Sequence, residues 1–419
     1  MRSKIISIGD ELLIGQIVNT NAAFLGEKLF SIGIPAEKVI VIGDEEKILL
    51  NELKDSVTNY DVTIITGGLG PTHDDITKPT LVKFFEDELI TDEKVLEHVK
   101  NIFASRNIAM PEVNAGQALV PKNSEVIWNH SGTAPGIWIE KHNKIIIAMP
   151  GVPHEMKAMI NEILLSKICT KFESKLNEVH IQKTLLTTGL GESTLNEKLG
   201  DIKELIGDSK LAFLPSTEGV RLRINVTSDS KKDAEQKLDE IESKIRIKAG
   251  DYIYGINNES MEFVIGDLLR CNKQTLSIAE SCTGGEISSR IVSVAGSSDY
   301  YFGGVCSYSN KEKVKILRVK EEILEKFGAV SKETAIEMAE GVRKLMDTDF
   351  ALSTTGIAGP TGGSAEKAVG LVWIGFSSKS KSYAVNFLFG EKRDIIIGRA
   401  SMRALDILRR ELLGIEIKY

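Results

Sequence analysis

Four short apolar runs punctuate the chain up to about residue 165: Lys4 to Ile8 (KIISI), Val39 to Ile42 (VIVI), Val62 to Ile65 (VTII) and Ile145 to Ala148 (IIIA). They do not alternate apolar with polar positions, as strands with one wet face do. Between them lie stretches with helical spacing, such as NAAFLGEKLFSIG and EEKILLNELKDSV. β-Branched runs separated by amphipathic helices predict a parallel sheet covered on both faces. Such sheets bind ligands beyond the carboxyl ends of their strands. The four runs end there in Gly9-Asp10-Glu11, Gly43-Asp44, Thr66-Gly67-Gly68 and Met149-Pro150-Gly151.

From about residue 170 the pattern changes. HIQKTLLTTG and GVRLRINVTS alternate as half-buried strands do, and SKKDAEQKLDEIESKIRIKAG has the spacing of a charged amphipathic helix. This predicts a small α+β module, a spacer or pairing unit without a chemical cluster. GINNES (Gly255 to Ser260) marks a boundary, beyond which an α/β pattern resumes. MEFVIGDLLRC reads as a helix, TLSIAES as a strand and GGEISSRIVSVAG as a helix. The strands DFALSTT, VGLVWIGFSS and SYAVNFLF follow, then a final helix from about Asp394 to Leu413. The fold class expected is α/β, with domains over 1–168, 169–256 and 257–419.

Composition narrows the function. A net charge of −7 argues against direct nucleic-acid binding, which needs a basic face. The four cysteines (Cys169, Cys271, Cys282, Cys306) form no C-x-x-C pair, so neither a zinc site nor a disulfide framework is expected. No apolar run approaches the ~18 residues of a membrane span. A cytoplasmic protein that touches no membrane is expected.

TGGLGPTHDDIT (Thr66 to Thr77) follows a buried strand. Its glycines Gly67, Gly68 and Gly70 let backbone amides approach an anion closely, and Thr66, Thr72 and Thr77 add hydroxyls. Asp74 and Asp75, with Asp10 and Glu11 from another strand end, suit a hard divalent cation such as Mg²⁺ that also takes phosphate oxygens. Amide cradle and cation together suit a diphosphate. The blander alternative is a tight turn in which Asp75 caps the next helix.

IAESCTGG (Ile278 to Gly285) places a hydroxyl and a thiol at a strand-to-helix turn. Gly284 and Gly285 allow a sharp turn, and free amides near Thr283, Gly284 and Gly285 at the helix start would hold an oxyanion or phosphate. Ser281 is then a nucleophile, provided that a base is near. All six histidines lie before residue 181, so serine chemistry carried by the C-terminal domain alone is of Ser-Lys or Ser-Tyr type, not a Ser-His-Asp triad. Tyr308 and Lys313, five residues apart across a turn, are the candidate bases. Cys282 is the competing nucleophile, but strand neighbours point oppositely, so only one of the pair faces the pocket. TTGIAGPTGGS (Thr354 to Ser364) repeats the strand-then-loop logic, with Thr355, Gly356, Gly359 and Gly362 offering hydroxyl and amides to substrate. Arg393 would bind a phosphate bidentately, with Lys392 as the alternative.

The segments GDELLIGQIVNTN, TGGLGPTHDDITK, NAGQALVP, GTAPG and MPGVPHEM resemble, in order, the N-terminal domain of the CinA family. AESCTGG, YSN-x-x-K, GAVS, TGIAGPTGGS-x-EK and VG resemble its C-terminal domain. The resemblance implies a molybdopterin-binding-like three-layer α/β domain, a small α+β linking domain and a C-terminal α/β amidase domain. For the first it implies metal-dependent ADP-ribose pyrophosphatase activity, giving AMP and ribose 5-phosphate. Asp10, Glu11, Asp74 and Asp75 are then the metal residues, and Asn21, Gly67, Gly68, Gly70 and Thr72 bind substrate. For the last it implies nicotinamide-nucleotide amidase activity without a cofactor, converting nicotinamide mononucleotide to nicotinate mononucleotide and ammonia. By position, Ser281 matches the nucleophile, and Tyr308, Lys313 and Arg393 match the other active-site residues. Two departures stand out: Ala368 where the family has proline, and Gly390-Glu391-Lys392-Arg393, one residue longer than its G-D-R. The expected partners are these small nucleotides and a second copy of the chain in a homodimer. The rival expectation is a non-catalytic ligand-binding module, or a partner of the recombination machinery.

Overall fold

A computed structural model describes residues 1–72, 75–176, 178–390 and 392–417. It divides into two compact units, Met1–Ile181 with Thr227–Glu235, and Gln182–Val226 with Gln236–Tyr419.

The first unit carries β1 (Ser3–Ile8), β2 (Ala36–Ile42), β3 (Val62–Thr66), β4 (Leu89–Thr91), β5 (Leu119–Pro121), β6 (Glu125–Ile127), β7 (Gly136–Lys141) and β8 (Lys144–Met149). Six of them form one sheet in the order β2-β1-β3-β8-β7-β6, while β4 and β5 pair apart. The four apolar runs of the sequence are its parallel strands. β6 and β7 extend it antiparallel. Every residue of β1 and β3 is buried, which is why their sequences do not alternate. On one face Ile5, Ile64 and Ile147 share a core with Leu25 and Leu29 of the helix Thr20–Ser31. On the other, Ile6, Ile65 and Ile146 share a core with Leu49, Leu53 and Leu81. These three layers bring the carboxyl ends of β1, β3 and β8 side by side.

The small module forms a sheet in the order β10-β11-β9-β12, from β9 (Val179–Thr187), β10 (Lys210–Pro215), β11 (Val220–Ser228) and β12 (Ile253–Ile256). β11 buries Val220, Leu222, Ile224 and Val226 and leaves the residues between them more exposed, as GVRLRINVTS predicts.

The C-terminal part holds β13 (Leu276–Glu280), β14 (Tyr301–Cys306), β15 (Phe350–Gly356), β16 (Leu371–Ser378) and β17 (Ser382–Leu388). Their order is β14-β13-β15-β16-β17. β13 runs parallel to both of its neighbours, and its last residue, Glu280, stands opposite Cys306 and Thr354. Ile278, Leu352 and Ile374 pack in one core with residues of the helices Met261–Asn272, Glu286–Val292 and Arg393–Leu413. Ala279 and Ala351 face the opposite way, toward Met338 and Val342 of the helix Lys332–Met346. Among the described residues, no helix is long and apolar enough to cross a membrane.

Candidate active site

Ser281 follows β13 directly. Its amide donates to the Thr354 carbonyl at 3.0 Å, and the Ser307 amide donates to the Glu280 carbonyl at 2.9 Å, so both neighbouring strands fix the turn. Gly284 and Gly285, at φ +65° and +102°, supply the left-handed backbone that lets the chain enter the next helix. Ser281 is 8% exposed, and Lys313 Nζ donates to its Oγ at 2.9 Å. Lys313 lies in the helix Asn310–Leu317, whose start is capped by Ser309. It is 1% exposed, and Nζ also donates to the Ser307 carbonyl at 2.8 Å and the Tyr308 carbonyl at 3.4 Å. Burial pushes its pKa below the ordinary lysine value, and no carboxylate is among the groups that oppose the shift. A neutral amine has two N–H groups and one lone pair. Once the amine is neutral, the two carbonyls can take its N–H groups, which leaves the lone pair for the serine proton.

Cys282 sits in the turn beyond β13, which ends at Glu280. It is buried in the apolar cluster with Ile287 and Ile291, and burial pushes its thiol up to about 12. That holds the thiol protonated and makes it a poor nucleophile.

The amides at the helix start do not await a ligand. Glu280 Oε2 accepts from the amides of Gly285 at 3.0 Å and Ile287 at 3.1 Å. Its Oε1 accepts from the Ser288 amide at 2.9 Å and the Ser288 hydroxyl at 2.7 Å. The Gly284 amide donates to the Ser281 carbonyl at 3.2 Å. Of the amides expected to face a ligand, those of Gly284 and Gly285 are thus engaged, and that of Thr283 donates to no other described residue. Thr283 Oγ1 and Thr354 Oγ1 share a buried hydrogen bond of 2.7 Å.

The loop after β15 is used differently from expectation. The Thr355 hydroxyl donates to the Ala329 carbonyl at 2.7 Å and is buried, so it braces the fold. Gly356 permits close strand approach, since a Cβ there would lie 2.6 Å from the Leu371 carbonyl oxygen. Gly359 and Gly362 take positive φ within the loop. Arg393, the first residue of the last helix, gathers the remaining parts: Nη1 donates to the Gly359 carbonyl at 2.8 Å and Nη2 to the Tyr308 hydroxyl at 3.3 Å. Tyr308 therefore meets Lys313 only through its carbonyl, while its exposed ring stands beside Arg393. The alternative cation, Lys392, is exposed. Sequence reasoning missed Glu280 and Thr354. An acid ending the buried strand LSIAE demanded partners, and a period of two in ALSTT set Thr354 apart from Thr355.

In the first unit, Asn21 Nδ2 donates to the Gly151 carbonyl at 2.7 Å and to Thr66 Oγ1 at 3.3 Å. Asn21 and Ser7 line one cavity with Glu11 and Thr66, and Asn21 Oδ1 and Ser7 Oγ have no hydrogen-bond partner among the described residues. Gly67 has φ +108°, and a Cβ there would sit 2.3 Å from the Ile8 carbonyl oxygen, so both the angle and the close approach call for glycine. The Thr77 amide donates to the Gly68 carbonyl at 3.0 Å. Asp75 clasps its own loop: its carboxylate accepts from the Gly70 amide at 2.6 Å, the Thr72 amide at 2.8 Å and the Thr72 hydroxyl at 2.5 Å. Asp10 and Asp44 exchange backbone-to-carboxylate bonds of 3.2 and 3.4 Å. Asp74, with His73, lies outside the described residues. Among the described residues, no three or more His, Cys, Asp or Glu gather as a metal set. Lys78, which the sequence did not single out, is buried and donates to the Gln117 carbonyl at 3.0 Å. Burial pushes it down to about 8, with Asp75 partly opposing the shift.

Comparison with known proteins follows the same division. Residues 4–169 match the model of a probable molybdopterin binding domain, 182–255 that of the damage-inducible protein CinA KH domain, and 258–412 that of the CinA C-terminal domain. A CinA-like protein of Flavobacterium psychrophilum is 41% identical over 418 residues, 99% of either chain. Another, of Kosmotoga olearia, is 44% identical over 413 residues, again 99% of either chain. Among solved structures, the competence/damage inducible protein CihA from Agrobacterium tumefaciens is 35% identical, covering 37% of this chain and 97% of its own, with a TM-score of 0.35. With such identity to relatives along nearly its whole length, the chain belongs to the CinA family.

Proposed function

We propose that the chain is a two-site hydrolase of pyridine-nucleotide metabolites, and that Ser281 opens the carboxamide of nicotinamide mononucleotide. The observation that carries this is the 2.9 Å pairing of Ser281 Oγ with the amine of a buried lysine whose pKa burial lowers. Lys313 takes the hydroxyl proton as Oγ bonds to the carboxamide carbon. The carbon–nitrogen bond then breaks, and the leaving nitrogen takes the proton from Lys313 and departs as ammonia. Water, deprotonated by the same amine, attacks the serine ester; the carbon–Oγ bond breaks, Oγ takes that proton back from Lys313, and nicotinate mononucleotide is released. Turn amides beside Ser281 hold the tetrahedral oxygen. Arg393, with Tyr308 and the Gly359 loop, binds the ribose phosphate. No cofactor enters this scheme.

The deciding experiment is ammonia release from nicotinamide mononucleotide and from free nicotinamide, with the full chain and with Ser281→Ala. Release from the nucleotide only, abolished in the variant, is expected. Equal release from both substrates, or retention in the variant, refutes the reading.

For the first unit we propose ADP-ribose as substrate, cleaved to AMP and ribose 5-phosphate. Support comes from the glycine loop and from Asn21 Oδ1 and Ser7 Oγ, which share a cavity and have no partner among the described residues. The described carboxylates do not fit a caged divalent ion, because Asp10 turns to Asp44 and Asp75 to its own loop. That observation favours a second reading, ligand binding without turnover. AMP formation from ADP-ribose, with and without Mg²⁺, separates the two. A homodimer in solution, read by light scattering, belongs to the same proposal, as does action on small nucleotides rather than on nucleic acid.

A further inference from the structure

Glu280 is an acid that the proposed chemistry does not use. It is 1% exposed and ends a strand that is otherwise buried. The hydrogen bonds to its carboxylate come from the start of the next helix: the amides of Gly285, Ile287 and Ser288 and the Ser288 hydroxyl. The Tyr301 hydroxyl donates in turn to Ser288 Oγ at 2.7 Å, which extends the chain of bonds to β14. A vacant helix start attracts anions. Here the protein's own carboxylate fills that place. The Gly284 amide is also taken, by the Ser281 carbonyl. Of the other turn amides, that of Cys282 lies against its own thiol, and that of Thr283 donates to no other described residue. Thr283 stands two residues after Ser281, and the Thr354 hydroxyl pins it at 2.7 Å.

We propose that Glu280 is a positioning residue for the Ser281 reaction. By fixing the helix start it presents the Thr283 amide as a donor for the tetrahedral oxygen, and it bars the substrate phosphate from the helix start. The proposal rests on the Ser281–Lys313 amidase reading. Glu280 touches no reacting atom; it acts through the turn.

The test is steady-state ammonia release from nicotinamide mononucleotide by the full chain carrying Glu280→Gln or Ser288→Ala. Glutamine keeps the shape but sets an NH₂ against donors that need acceptors. Glu280→Gln is expected to lower kcat by about 100-fold, the scale of one lost oxyanion donor. KM should stay within about threefold, and the pH midpoint of the rate should not move, because Lys313 is untouched. Ser288→Ala, which removes one of the four bonds, is expected to lower kcat by about fivefold with KM unchanged. A folded Glu280→Gln protein with kcat close to wild type overturns the proposal, as does a loss confined to KM. If Glu280→Gln does not fold, Ser288→Ala decides, and full kcat there overturns it. Absence of ammonia release by the wild type sinks the amidase reading instead. Hydrogen exchange at the Ile287 and Ser288 amides then still reads the clamp, and unchanged exchange in Glu280→Gln overturns it.

Discussion

Replacing Lys313 with methionine removes the amine while keeping a side chain of similar length. The buried Nζ has three partners: Ser281 Oγ at 2.9 Å and the carbonyls of Ser307 and Tyr308 at 2.8 and 3.4 Å. Losing the base should cost at least ~10⁴ in kcat, the scale of one member of a catalytic unit, which is about 5.5 kcal/mol of barrier. Because Ser281 and Lys313 act together, the double variant Ser281→Ala/Lys313→Met should be no slower than either single one. In the wild type, the rate should rise with pH as Lys313 loses its proton, with a midpoint below the ordinary lysine value. Stability follows the same group. The folded pKa is depressed, so between it and the ordinary lysine value the unfolded chain binds more protons. Wild-type stability should therefore climb with pH through that window, and the methionine variant should lose the climb. The rate is read by ammonia release between pH 6 and 10, and stability by thermal melts over the same range. A variant that keeps kcat within tenfold of wild type, or single-variant losses that multiply in the double variant, refutes the Ser-Lys pairing.

Cys282→Ala should keep ammonia release within about threefold of wild type while lowering the melting temperature, since a buried group about the size of a methylene contributes ~1 kcal/mol. Loss of release in a folded variant would return the nucleophile to sulfur. Arg393→Ala should raise KM for nicotinamide mononucleotide by about tenfold or more, the worth of a charge-assisted contact of ~1.5–3 kcal/mol, with kcat changed far less; an unchanged KM places the phosphate elsewhere. In the first unit, Lys78 is pushed down to about 8. Stability should therefore rise as pH climbs from about 8 toward the ordinary lysine value, and Lys78→Met should flatten that rise in melts monitored on this unit.

The parallel strands were legible because burial on both faces removes the alternation that a wet face imposes. β7 was not. It joins the sheet by a tight return through His142 and Asn143, both at positive φ, and that hairpin lies outside the helix-strand rhythm around it. The serine–lysine pair could be read because histidine was absent beyond residue 181, which left few bases to consider. The spacing of five from Tyr308 to Lys313 suggested a shared pocket. In the fold the turn offers the tyrosine carbonyl to the amine and sends the ring to Arg393. Asp75 had two readings in one dimension, metal ligand or cap of the next helix; in the fold its carboxylate instead closes back on Gly70 and Thr72, and the helix start has no side-chain cap. The Glu280 clamp was hidden because its donors exist only once the next helix has formed.

The Lys313 pKa is lowered by exclusion of water, with no carboxylate beside it to hold the charge. A charge pair weakens when counter-ions crowd around it; a desolvated amine has no such sensitivity. Turnover at saturating nucleotide should thus be indifferent to ionic strength, whereas capture of the phosphate by the exposed Arg393 should weaken steadily as salt is added. The two halves of one reaction would then answer to different solvents: the chemistry to a dry interior, the recruitment of substrate to the electrolyte outside.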